Sequence, residues 1–326
     1  MTQANLLTPP SSIPPPVALQ LSQRAPPIIA SSPTSSLPWP LSLLFNAETP
    51  ETWTIHENLL LSALRTGDDK AARALLDRLT TRFGASNPRI ITLRGIYEEG
   101  TAKSDKELET IFKKYEDILK EDPSNFAIRK RRVAVLKSLG RIQDAIIALT
   151  VLLENSPTDA EGWAELSELY VKVGAWGQAV FAMEEVLLII PNAWTAHAQL
   201  ATVHYLSSRS LSLPQLSALT LALKHFARSI ELNESYLRGY YGLKLIAKDL
   251  IPILSSDAPS KRNNNEDDEV PLPRLETVKK LEELATNKLA EIVRQHGSGK
   301  KGWQGYDEAE VIAARELLDR DGKIER

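Results

Sequence analysis

Apolar residues through the middle of the chain recur at helical spacing, most cleanly between Ala160 and Ala193. Trp163, Leu166, Tyr170 and Val173 fall at i, i+3, i+7 and i+10, one face of a helix. Gly174 ends that run where left-handed backbone costs little. A second stripe of Ala179, Ala182, Met183, Val186 and Leu187 follows, and Pro191 closes it because proline has no N–H for a continuing helix. The preceding stretch, Phe126 to Asp159, repeats the plan with Gly140 at the turn and Ala145, Leu149, Leu152 and Pro157 in its second half.

Paired helical patterns extend in both directions. Upstream, Thr54–Arg65 and Asp68–Phe83 are separated by Gly67 and followed by Gly84. A helix at Ile90–Glu98 is then joined, through a turn lengthened by Gly100 to Asp105, to a second helix carrying Ile111, Tyr115 and Ile118 and ended by Pro123. Downstream, Thr195–Leu206 and Ser217–Leu232 make another pair, with Ala222, Phe226 and Leu232 on the second helix and a Ser- and Leu-rich insertion between them. An apolar helix at Tyr236–Leu254, a polar acidic stretch at Ser255–Glu269, a charged helix at Leu275–Gln295 and a short one at Asp307–Asp319 complete the chain.

Pro123, Pro157 and Pro191 stand 34 residues apart, the period of the tetratricopeptide repeat. The clearest unit resembles that consensus at Trp163, Leu166, Ser167, Tyr170, Ala179 and Pro191. The expected fold is therefore all-α, a tetratricopeptide-repeat α-solenoid of about five to six antiparallel helix pairs wound as a right-handed superhelix. One helix departs from the pattern. Arg129 and Arg132 occupy the offsets of Trp163 and Leu166, so this helix must turn charge toward something a standard repeat fills with apolar atoms.

Residues 51–254 are expected to form the solenoid, 255–273 a disordered acidic insertion and 274–326 capping helices whose polar outer face closes the array. Residues 1–50 read as a Pro- and Ser-rich tail, since half of the 20 prolines lie within the first 40 residues, which favours extended backbone. Leu37 to Phe45 is the tail's one apolar patch, a docking segment or a leading strand over the first helix.

With 43% hydrophobic residues the chain has ample apolar surface for one elongated solenoid, and 6% aromatic content suits an all-helical protein. A net charge of −3 gives no global electrostatic case for nucleic acid. The absence of cysteine excludes disulfides, thiol catalysis and Cys-ligated zinc. No run approaches the roughly 18 apolar residues that cross a bilayer. The N-terminus has neither a charged n-region nor an apolar h-region, so a soluble, untranslocated protein is expected.

Catalytic constellations are missing. Of His56, His197, His204, His225 and His296, only His197 and His204 share a helix face, two turns apart rather than at the i, i+4 spacing of a helical metal pair. His296-Gly-Ser-Gly-Lys-Lys-Gly glances at a phosphate loop. It has Arg294 where the leading glycine belongs, Lys301 in place of the magnesium-binding hydroxyl, and no strand before it. Adjacent carboxylates such as Glu184 and Glu185, or Asp267 and Asp268, do not face one another on a helix. No enzyme activity, cofactor or metal is expected. Arg129-Lys-Arg-Arg132 is the one basic cluster, and the next repeat carries Glu161, Glu165 and Glu168 on its equivalent helix, which suggests a charged inner groove. The first-helix row Lys130, Lys137, Glu161, Glu165, Glu168, His197 and His204 is the expected partner-binding groove. Trp163, Leu166, Tyr170, Gly174, Ala179, Pro123, Pro157 and Pro191 are the structural positions.

A closer resemblance spans about Leu59 to Leu254. The segments Tyr115-Glu-Asp-Ile-Leu-Lys-Glu-Asp-Pro-Ser-Asn125, Arg129-Lys-Arg-Arg132, Ala160-Glu-Gly-Trp-Ala-Glu-Leu-Ser-Glu-Leu-Tyr170 and His225-Phe-Ala-Arg-Ser-Ile-Glu-Leu-Asn233 carry it. They resemble subunit 2 of the endoplasmic reticulum membrane protein complex, a family in which the charged first helix is usual. The resemblance implies a non-catalytic, peripheral scaffold on the cytosolic side of the endoplasmic reticulum, part of a hetero-oligomer. Its groove would hold cytosolic segments of the membrane subunits and so support insertion of tail-anchored and multi-spanning proteins. The alternative is a co-chaperone that grips the tails of cytosolic chaperones. The clamp such proteins use would need Lys, Asn and Asn where this chain has Lys130, Ala134 and Glu165, and only the lysine matches.

Overall fold

Glycine and short polar residues stand where the helices turn, and the backbone uses them as the sequence suggests. The computed structural model describes residues 5–8, 15–31, 49–210, 216–255, 271–300, 302–303 and 305–320, and within these the regular structure is entirely helical. Contacts divide the chain into two compact units, Met1–Leu152 and Leu153–Arg326.

The first unit holds α1 (Pro15–Ser22), α2 (Ala25–Ser31), α3 (Pro50–Thr66), α4 (Asp69–Phe83), α5 (Pro88–Thr101), α6 (Asp105–Glu121) and α7 (Phe126–Ser138), and most of α8 (Ile142–Asn155). Start signals are short side chains that satisfy otherwise orphaned N–H groups. Asp68 accepts from the Ala71 N–H at 3.1 Å, Asn87 from Arg89 at 2.9 Å and Asn125 from Ile128 at 3.1 Å. The α3–α4 and α7–α8 turns each place a glycine in left-handed backbone, Gly67 at φ 74° and Gly140 at φ 70°, which a Cβ would strain. Leu59, Leu60, Ala63, Leu75, Leu76, Leu79, Ile90 and Leu93 form one apolar core between α3, α4 and α5. Ile111, Tyr115, Ile128 and Val135 form another between α6 and α7.

Two expectations are corrected here. Residues 15–31, read as part of an extended tail, fold into two helices. Their prolines fall in the first turn of each helix, where a missing N–H costs nothing, and Ala18, Leu21 and Ala25 are buried. Arg78 of α4 donates to the Ile29 carbonyl and so satisfies the end of α2. The turn expected at Gly100–Asp105 is shorter, because α5 continues through Gly100 to Thr101. Leu37–Phe45 and most of the acidic insertion, including all of 256–270, lie outside the described residues.

The second unit holds α9 (Ala160–Lys172), α10 (Trp176–Ile189), α11 (Trp194–Ser210), α12 (Leu216–Leu232), α13 (Leu237–Ser255), α14 (Leu275–Gly297) and α15 (Glu308–Arg320). Gly174 turns α9 into α10 at φ 74°. The small repeat positions do what their size allows. Ser167 is 2% exposed against Ala179, itself fully buried, and its Oγ donates to the Ala179 carbonyl at 2.8 Å, so α9 and α10 approach backbone to backbone. A larger cluster of Leu219, Phe226, Leu243, Ile246, Leu250, Leu289 and Ile292 joins α12 to α13 and α14. Lys244 is wholly buried there, held by Glu282 at 2.8 Å and Thr286 at 2.8 Å, a charge tolerated because it is paired.

Candidate interaction surface

In the first unit the row lies on α7. The packing of α5, α6 and α7 engages Arg131 and also Arg132, the arginine at the offset of Leu166. Arg131 forks onto Glu99 of α5, with Nε donating to Oε1 at 2.9 Å and Nη2 to Oε2. Tyr115 of α6 donates its Oη–H to the same Oε1 at 2.5 Å. The ring can reach that carboxylate only because α5 has Gly95 beside it, where a Cβ would lie 2.2 Å from Tyr115 Oη. Burial raises the Tyr115 pKa, and the Glu99 charge raises it further. Burial works against the Arg131 charge, but the Glu99 carboxylate outweighs it and the pKa is raised. Arg132 lies 2.9 Å from Glu116 of α6. Two of the four basic residues therefore serve the interior of their own unit.

Lys130 and Lys137 stand half-buried on the same helix, and Lys130 Nζ sits 5.2 Å from the centre of the Phe126 ring.

In the second unit the row lies on α9 and α11. Glu161 and Glu168 are exposed and Glu165 half-buried, and Glu168 pairs with Lys172 at 3.1 Å. Trp163, the aromatic among the structural repeat positions, is only partly buried. Its indole N–H donates to the Pro157 carbonyl at 2.8 Å and its ring meets Phe181 edge-on, 6.0 Å between centres.

The two histidines of α11 are joined by a third that the sequence reading did not place with them. His225 of α12 stacks between His197 (5.3 Å, 25°) and His204 (6.0 Å, 15°). With the rings neutral, the hydrogen bonds fix the tautomers. His197 Nε2 lies 3.1 Å from the Pro191 carbonyl, an acceptor only, so the proton is on Nε2 and Nδ1 must accept. His225 Nδ1, 3.1 Å away, is therefore the donor, which leaves its Nε2 unprotonated. Burial first, then the charges of His197, His204 and Lys224, lower the His225 pKa to about 4; burial also lowers that of His204. One signal for His225 was available: it follows Ala222 by three residues and so flanks the apolar stripe of α12 that faces α11.

Among the described residues, no three His, Asp or Glu side chains are arranged to hold a metal ion, and no helix is long and apolar enough to cross a membrane. The surface offers charge, hydrogen bonds and apolar edges, which suit holding another chain.

Comparison with known proteins agrees with the helical pairs and adds a lineage. Residues 95–218 match the family described as the EMC2 TPR-like repeat domain. The chain is 32% identical over 241 residues to the TPR repeat protein oca3 of Schizosaccharomyces pombe, covering 73% of this chain and 82% of that one. It is 32% identical over 214 residues to ER membrane protein complex subunit 2-A of Xenopus laevis, 66% of this chain and 68% of that one. It is 27% identical over 198 residues to ER membrane protein complex subunit 2 of Saccharomyces cerevisiae, 56% and 64% respectively. At 32% identity over 82% and 68% of the length of the first two of these relatives, the chain belongs to the ER membrane protein complex subunit 2 family.

Proposed function

We propose that this chain is the tetratricopeptide scaffold of an ER membrane protein complex, peripheral on the cytosolic face. Its first-helix rows hold cytosolic segments of the membrane subunits and so support insertion of tail-anchored and multi-spanning proteins. The family membership carries this reading. The geometry supports it, because rows of half-exposed charge on packed helices hold a partner by position and need no reactive group. A non-catalytic role follows from the same reading.

The rows are Lys130 and Lys137 in the first unit, and Glu161, Glu165, Glu168, His197 and His204 in the second. The test is affinity purification of the tagged chain from detergent extract, with Lys130→Glu and Glu165→Lys made singly and together. The wild type is expected to recover several membrane proteins in fixed ratio. Each reversal should lower that recovery while helicity and melting stay unchanged. Recovery of soluble chaperones alone, displaced by an acidic tail peptide, would replace this reading with the co-chaperone one. Undiminished recovery by the double variant would remove these residues from the interface.

A further inference from the structure

α5 and α6 meet over far less of their length than α3 and α4 do, so this hairpin is splayed. The two helices cross closely at Gly95 and Tyr115 and part toward Ile91 and Ile118, leaving a cleft of about 450 Å³. Its walls are apolar where the core of the hairpin shows through, at Ile91, Ile118 and the Tyr115 ring. Its charges are Arg94, Glu98, Lys114 and Asp117.

Three of those four charges are answered. Glu98 holds Lys114 at 2.8 Å across the cleft, and Asp117 holds Lys120 at 2.7 Å. The Arg94 side chain makes no ion pair or hydrogen bond among the described residues, although it is partly buried on the cleft wall. A guanidinium that has given up part of its water without gaining a carboxylate is a cation waiting for an anion, and its planar fork suits a carboxylate best. The cleft thus carries one guanidinium with no ion-pair partner above apolar walls.

From this charge complementarity we infer that the α5–α6 cleft binds an acidic peptide segment of a partner, one that seats an apolar side chain between Ile91 and Ile118 and sets a neighbouring Asp or Glu against Arg94. The site is separate from the first-helix rows and stands whether or not those rows hold membrane subunits. Lys114 is the reserve cation, released whenever Glu98 is neutralised.

The test uses the purified full chain and two fluorescein-labelled peptides, one alternating Leu and Asp, the other alternating Leu and Asn, read by fluorescence polarisation. The Asp peptide is expected to bind at least about tenfold more tightly than the Asn peptide, the worth of one charge-assisted hydrogen bond, with the difference shrinking as salt is raised. Arg94→Gln should abolish that preference with melting unchanged, since Arg94 holds nothing in the fold. Glu98→Gln should strengthen Asp-peptide binding by freeing Lys114, an outcome that loss of folding cannot mimic. Equal affinity for the two peptides, a preference that survives Arg94→Gln, or no binding of either at millimolar peptide overturns the proposal.

Discussion

Arg131 and Glu99 sit on equivalent helices of successive repeats, 32 residues apart, and form a two-point ion pair whose side chains are 28% and 10% exposed. Tyr115 donates to the same carboxylate, so Glu99 accepts three hydrogen bonds. A buried pair of this kind adds little over a well-packed apolar pair, but losing one partner leaves the other charge stranded.

Removing only the anion should therefore be costly. Glu99→Ala is expected to destabilise the first unit by about 3 kcal/mol, and Arg131→Met in the same chain should recover much of that. Urea unfolding of the single and double variants measures both. A single variant within about 0.5 kcal/mol of wild type would mean that the pair is solvated and idle.

The histidine stack gives stability a pH dependence with a definite sign. Unfolded histidine titrates near 6.5, whereas His225 in the fold titrates at about 4 and His204 is also lowered. Between those values the unfolded chain binds protons that the folded one refuses, so stability is full above pH about 6.5 and falls as pH drops toward 4. Melting temperature measured across that range should decline below 6.5 and level off above it. His225→Asn, whose amide N–H can still donate to His197, should flatten the decline. In the wild type at neutral pH, nitrogen NMR should find the proton on Nδ1 of His225 and on Nε2 of His197; the reverse pattern would refute the assignment.

Trp163 is the consensus aromatic, yet it is only partly buried. Trp163→Ala should cost about 2 kcal/mol, less than a core aromatic, because only part of its area is removed from water on folding. Trp163→Phe should restore most of the packing and leave the Pro157 carbonyl without its indole donor. Thermal unfolding of the two variants separates packing from hydrogen bond.

Much of the fold is legible along the chain because its signals are local. Gly67, Gly140 and Gly174 mark turns that need positive φ, and Asp68, Asn87 and Asn125 can cap a helix whatever surrounds it. The interaction surface is less so. His197 and His204 are two turns apart on one helix and could be paired from spacing, but His225 joins them through the packing of α11 on α12, 28 residues from His197. Glu99 and Tyr115 likewise give no sign in sequence that they meet Arg131.

The amino-acid order by itself determined the helical pairs, their period and most of their ends, since hydrogen bonding within a helix and the 3.6-residue period depend only on near neighbours. Tertiary structure alone decided that the proline-rich stretch at 15–31 folds, by giving Ala18, Leu21 and Ala25 an apolar surface to bury, and that α5 and α6 part around Arg94. It also decided which imidazole carries which proton. Those outcomes rest on burial and on meetings between residues far apart along the chain, and no local pattern records either.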